Sequence, residues 1–139
     1  MKIAFLIFGV FFLAACAAVP AQNDCPILSL GKPYVVFFEY GRADLSRKGA
    51  RALTDVARNA ADSNAKVCVA AVTRQSGAPQ DQFRLSVDRM KTVGDVFYQQ
   101  GVDLSNLYLI AAPADEANGL FAPVSARDIA HKVLVYVGF

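Results

Sequence analysis

Apolar residues along the chain gather into short runs with few polar interruptions, and between them lie two stretches where they recur every three or four positions. Tyr34-Val35-Val36-Phe37-Phe38 is β-branched and aromatic, is bounded by Gly31, Pro33 and Gly41, and reads as a strand. Both of its faces are apolar, so burial on both sides is expected. Ser46 stands where a helix N-cap belongs, ahead of Leu53, Val56, Ala57 and Ala60 at helical spacing, and Asp62-Ser63-Asn64 closes that helix. Lys66 to Thr73 (KVCVAAVT) is a second, nearly continuous apolar strand. Arg74 to Asp81 carries Gly77 and Pro79 and reads as a loop. From about Gln80 to Gln100 a second helix follows, with Met90, Val93 and Phe97 as its core stripe. Gly94 inside it costs about 1 kcal/mol relative to alanine and leaves room for a close neighbour. Gly101 is placed to end the helix. Leu107 to Ala112 is a third strand, Ala112 to Ala122 a polar loop, Ser125 to Ala130 a short helical turn and His131 to Val137 the last strand.

The order strand–helix–strand–helix–strand–strand predicts an α+β fold, an α/β sandwich in which two main helices pack on one face of a four-stranded mixed sheet. With 139 residues the chain has room for one ordinary domain.

Ahead of that domain stands a different kind of segment. Met1-Lys2 is followed by Ile3 to Leu13, eleven apolar or small residues without a polar break. As a helix they would reach about 16 Å, short of a hydrocarbon core of roughly 30 Å. Small residues follow directly, as at secretory cleavage sites, so residues 1–15 are expected to be a signal peptide. Leu13-Ala14-Ala15-Cys16 resembles the lipobox of bacterial lipoproteins, which implies lipid (palmitate among it) on Cys16 as the new N-terminus. Two or more acyl chains hold stably where one does not. Ala17, in place of an aspartate after the cysteine, implies sorting to the outer membrane. Ala17 to Asp24 (AAVPAQND) has no apolar period and reads as a tether. The expected division is 1–15 leader, 16–31 lipidated cysteine and tether, and 32–139 folded domain.

Charge narrows the functions open to this domain. Of 14 basic side chains Lys2 belongs to the leader, which leaves 13 against 12 acidic ones. That balance gives no support to nucleic-acid binding. His131 is the single histidine and has no serine or cysteine nucleophile pattern near it, so neither an enzyme nor a metal site is expected, and no cofactor. With Cys16 lipidated, Cys25 and Cys68 remain. In an oxidising compartment they could be a disulfide stapling the start of the domain to the second strand; two free thiols, with Cys68 a small buried residue, is the other reading.

Residues 34 to 137 resemble the OmpA-like C-terminal domain of peptidoglycan-associated lipoproteins and other envelope proteins. The resemblance rests on a series. Val36-Phe37-Phe38-Glu39-Tyr40-Gly41-Arg42-Ala43-Asp44-Leu45-Ser46 looks like the family's strand, turn and helix start. Val67 to Thr73 matches its second strand and Gly77 its loop glycine. Leu85-Ser86-Val87-Asp88-Arg89-Met90 matches Leu-Ser-x-x-Arg-Ala, and Gly101-Val102-Asp103 the end of the second helix. The resemblance implies a periplasmic domain that grips the diaminopimelate residue of peptidoglycan stem peptides. In that family an aspartate after the loop threonine meets the ligand's amine, and a helix arginine pairs with its carboxylate as a guanidinium fork does. Carried over, the ligand set is Arg89, Thr73, Gly77 and Gln82, where Gln82 replaces the family's asparagine and Arg89 is expected at an exposed pocket rim. Arg74 stands in place of the aspartate, a charge reversal. Ala130-His131-Lys132 replaces the family's Asn-Arg-Arg, and Ala111-Ala112-Pro113 its Gly-Glu. The expected function is an outer-membrane tether to peptidoglycan with weakened binding. The alternative is a non-enzymatic scaffold, a protein-binding component of an envelope or secretion complex that has lost the wall.

Overall fold

The computed structural model describes residues 25, 32–73, 78–113 and 132–138. Strand β1 is Tyr34–Phe37, helix α1 Arg47–Asp62, β2 Lys66–Thr73, α2 Pro79–Gln99, β3 Leu107–Pro113 and β4 Lys132–Gly138; a 3-10 turn at Leu104–Asn106 precedes β3. Of the loop expected at Arg74 to Asp81, residues 74–77 lie outside the described residues and 79–81 belong to α2; most of the loop at 112–122 and the helical turn at 125–130 also lie outside them.

The four strands form one mixed sheet in the order β1-β4-β2-β3. β4 runs antiparallel to both its neighbours, β1 and β2, while β2 and β3 are parallel. A parallel pair cannot be joined by a tight turn, and α2 provides the crossover between β2 and β3. The last strand to leave the chain is therefore inserted at the centre of the sheet.

Alternation along the strands fixes which residues face the helices. Val36 pairs with Val133, which pairs in turn with Ala71, and Tyr34, Val135 and Val69 make the next row. Val36, Val67, Val69, Ala71, Val133 and Val135 share one buried cluster with Leu53, Ala57 and Ala60 of α1 and Val93 and Phe97 of α2. Both helices thus cover the same face. The intervening residues point the other way, and Cys68, Ala70, Ile110, Leu134 and Tyr136 are also buried. Cys25, itself buried, is paired with Cys68 on this second face, with Cα atoms 6.1 Å apart, inside the range a disulfide spans.

β1 corrects one expectation. It is an edge strand rather than one buried on both sides: Val36 is buried, Tyr34 and Val35 are half-buried, and Phe37 is 65% exposed. Its apolar sequence reflects two neighbours of different kinds, the helix layer on one side and a partly open face on the other.

Local chemistry sets the ends of the helices. Ser46 is extended, and its Oγ accepts from the Gly49 N–H at 3.0 Å, satisfying one of the orphan donors at the start of α1. Pro79 begins α2, where its missing N–H costs nothing. Past the end of α2, Gly101 has φ +96°, a left-handed conformation that glycine adopts without strain. The close neighbour of Gly94 is Leu109 of β3, whose Cδ2 would lie 2.9 Å from a Cβ built there. The glycine lets α2 settle onto the outer strand of the sheet.

Candidate functional site

Between β1 and α1 the chain makes a turn, with the Arg42 N–H donating to the Glu39 carbonyl at 3.1 Å. Gly41 sits in it at φ +68°, a conformation side chains rarely adopt. The turn is held from above by α2. Arg89 Nε donates to the Arg42 carbonyl at 2.8 Å, and Arg89 Nη2 to the Glu39 carbonyl at 3.0 Å, so the guanidinium grips both ends of the turn. One helical turn further on, Thr92 Oγ1 donates to the Ala43 carbonyl at 2.7 Å. The guanidinium also lies over the Phe38 ring, 5.1 Å from its centroid.

This placement overturns the expectation that Arg89 lies exposed at a pocket rim, because its side chain is fully buried. The physical reason is the helical period. Ser86, Arg89, Val93 and Phe97 follow one another at spacings of three and four, and all four are completely buried. Arg89 belongs to the inward stripe of α2, and at the upper end of that stripe it meets backbone carbonyls instead of hydrocarbon. Burial lowers its pKa, yet a guanidinium starting above about 12 stays charged at neutral pH.

Phe38, Glu39 and Arg42, all in contact with Arg89, line a cavity of about 400 Å³ together with Phe37, Asp44 and Ser46. Arg42 forks onto Asp44 through Nε–Oδ1 at 2.9 Å and an Nη2–Oδ2 contact at 2.7 Å. The hydrogen bonds from Arg42 hold the Asp44 carboxyl below its usual range, and Asp44 raises Arg42 in turn. Glu39 is exposed on the same cavity. The cleft can therefore present a carboxylate to a cation, a guanidinium to an anion, and an aromatic wall.

The remaining residues expected at the site are only partly brought together. Gln82 is half-buried in the first turn of α2, seven residues before Arg89 and so on nearly the same side, and its carbonyl accepts from Ser86 Oγ at 3.0 Å. Thr73 ends β2, with its backbone opposite Pro113. Arg74, Gly77 and Cys16 lie outside the described residues. The sequence reading passed over Glu39 and Arg42 as site residues. Their signal was the turn glycine between them, since a loop that needs a left-handed residue beside a strand end is a common place for function.

A family model supplies the classification. The OmpA family matches residues 37–119, more than half the chain. The chain belongs to the OmpA family. The matched span runs from the end of β1 through α1, β2, α2 and β3, and so includes the turn and the arginine that holds it. No curated protein matches the chain by sequence. Among solved structures, the OmpA-like domain of FopA1 from Francisella tularensis is similar, with a TM-score of 0.58 at 18% identity over 87% of this chain and 90% of that one. The C-terminal domain of Helicobacter pylori MotB aligns with a TM-score of 0.57 at 14% identity, over 76% and 84% of the two chains. The peptidoglycan-associated lipoprotein of Burkholderia pseudomallei gives 0.56 at 12% identity, over 85% and 98%. At these identities the likeness is one of fold. Among the described residues no group of metal-ligating side chains could hold an ion, and no helix is long and apolar enough to cross a membrane.

Proposed function

We propose that this OmpA-family chain is a non-enzymatic lipoprotein of the bacterial outer membrane. In this reading lipid on Cys16 anchors it, and its periplasmic domain associates weakly with peptidoglycan. One observation carries the wall-binding half: the turn gripped by Arg89 presents Glu39 and an open cleft beside the helix that bears the family's Leu-Ser-x-x-Arg pattern. A stem peptide containing diaminopimelate brings an ammonium and carboxylates. Glu39 offers the carboxylate for the ammonium that Arg74, in the aspartate's place, cannot offer. Arg89 serves as a positioning residue, shaping the turn from behind, and Arg42 is the cation that faces the cleft. Weak binding follows, because Arg42 is shared with Asp44 and Arg74 adds a like charge.

The burial of Arg89 also favours a second reading, in which the domain has left the wall and serves as a scaffold in an envelope complex. Fold does not dictate function, and a guanidinium held by two backbone carbonyls stabilises a loop whether or not a ligand is present. Co-sedimentation of the full-length chain with purified sacculi separates the two: retention supports the tether, and none supports the scaffold.

The anchor has its own test. Cys16→Ser is expected to abolish labelling by a clickable palmitate analogue and to release the protein from membranes. Labelling and membrane association that survived the change would remove the lipid from the account.

A further inference from the structure

A second cleft adjoins the first along β1, with Phe37 and Ser46 bordering both. It has a volume of about 360 Å³ and is lined by Tyr34, Val35, Val36 and Phe37 together with Ser46, Lys48, Gly49 and Ala52 of α1's first turns. Successive strand residues point to opposite faces of a sheet. A cleft bordered by four in a row must therefore run along the edge of the strand rather than over one face. β4 occupies one edge of β1, and β1 ends the sheet. The cleft thus follows the outer edge, where no strand among the described residues pairs with β1, with α1 as its opposite wall.

An outer edge of this kind is a template for another strand, and proteins commonly blunt it with charge, proline or a covering element. Here the strand itself is Tyr-Val-Val-Phe, and the charges stand beside it. Lys32 precedes β1 and Lys48 lines the cleft from the first turn of α1, both exposed, whereas Arg47 and Arg51 line a separate groove along α1 with Asp55 and Arg58. Of the acidic groups nearby, Asp44 is forked by Arg42 and Asp55 lies 4.0 Å from Arg58, while Glu39 stands past the end of β1 on the first cleft. The domain as a whole is close to neutral, and the charged side chains along this edge are the cations Lys48, in the cleft lining, and Lys32, just before β1.

We infer that the outer edge of β1 binds an extended acidic segment of another protein, which adds to the sheet as a further strand with its carboxylates against Lys48 and Lys32. Main-chain pairing supplies the affinity in such an arrangement, and the flanking side chains choose the partner. The charge argues against a second copy of this chain as occupant. Two β1 edges pairing about a twofold axis would bring two sets of these cations together, and like charges opposed across an interface disfavour it. This inference does not rest on wall binding: Phe37 and Ser46 border both clefts, but Lys32, Lys48 and the edge of β1 take no part in the contacts of Arg89.

The test uses the full-length chain in detergent and a capped, fluorescein-labelled octapeptide of alternating glutamate and valine. Fluorescence anisotropy should report saturable binding that weakens with salt. Hydrogen–deuterium exchange should slow at residues 34–37 when the peptide is added. Lys48→Glu should weaken binding by about tenfold, and Ala52→Trp, which fills the cleft, should abolish it; both positions are solvent-facing, and a thermal melt confirms that the variants fold. The matching lysine–valine peptide should not bind. Binding that ignores both substitutions, or no protection of residues 34–37, would overturn the inference. So would protection of β1 that grows with protein concentration in the absence of peptide, because the occupant would then be a second copy.

Discussion

The charged head of Arg89 rests on the ring of Phe38, 5.1 Å from its centroid, and from there reaches the two carbonyls that bracket the turn at Gly41. This places a helix cation inside the domain, where it joins α2 to the end of β1. A lysine would not do the same, because its donors radiate from one nitrogen, whereas the separate Nε and Nη2 of a planar guanidinium reach both carbonyls while its face rests on the ring.

Arg89→Ala should therefore destabilise the fold strongly. It leaves the Glu39 carbonyl short of one donor and the Arg42 carbonyl short of another, at about 1–3 kcal/mol each, and it opens a void beside Phe38. Arg89→Lys should recover less than half of the loss. Urea denaturation of the full-length chain measures both. A loss below about 1 kcal/mol for the alanine variant would mean that Arg89 does not hold the turn.

The pairing of Cys25 with Cys68, 43 positions apart, joins the segment before β1 to the central part of β2. A bridge closing a loop of this length is expected to add roughly 3–4 kcal/mol. Protein taken from the periplasm should resist thiol tagging at both positions until it is reduced, and reduction should lower the urea midpoint. Two thiols that react freely in unreduced, unfolded material would refute the bridge.

Much of the architecture could be read from the chain. The Ser46 cap, the helix from there to Asp62, the apolar run 66–73 and the glycine after α2 each have a local cause, and each stands where that cause put it. For Arg89, residue type and helical period point in opposite directions, and the period prevails: its spacing to Val93 and Phe97 places it on the inward stripe. The outer position of β1 was hidden for another reason. Strand order depends on where the last strand inserts, and Lys132–Gly138 pairs with both β1 and β2 through contacts some hundred and some seventy positions away in the chain. No local pattern records that choice. Of the candidate site, the turn glycine and the helix arginine were legible; the cleft between Glu39 and Arg42 needed the turn to be folded.

Tyr136 predicts an alkaline limit. It lies on the buried second face of the sheet, and burial raises its pKa above the ordinary tyrosine value near about 10. A group whose pKa is raised on folding contributes stability that is complete below the unfolded value and is lost as pH rises through the folded one. The urea midpoint should therefore fall as pH rises above about 10, and Tyr136→Phe should flatten that fall. Equal alkaline sensitivity in both proteins would show that the phenol is not the group responsible.

The most direct test of the account is sacculus binding by three forms of the full-length chain in detergent: wild type, Glu39→Gln and Arg74→Asp. Glu39 faces the cleft and can meet an ammonium. In the proposed reading Arg74 takes the place of the family's aspartate, and repulsion between unit charges 6–10 Å apart amounts to roughly 1–3 kcal/mol at an effective dielectric near 20, before screening by salt. The account predicts weak co-sedimentation of the wild type with purified diaminopimelate-type sacculi. It predicts little or none for Glu39→Gln, and retention improved by about fivefold or more for Arg74→Asp. If wild type and Arg74→Asp both stay in the supernatant, the tether is wrong and the domain is a scaffold. If the wild type binds tightly and neither substitution changes it, the domain meets the wall through some surface other than the cleft that Arg89 supports.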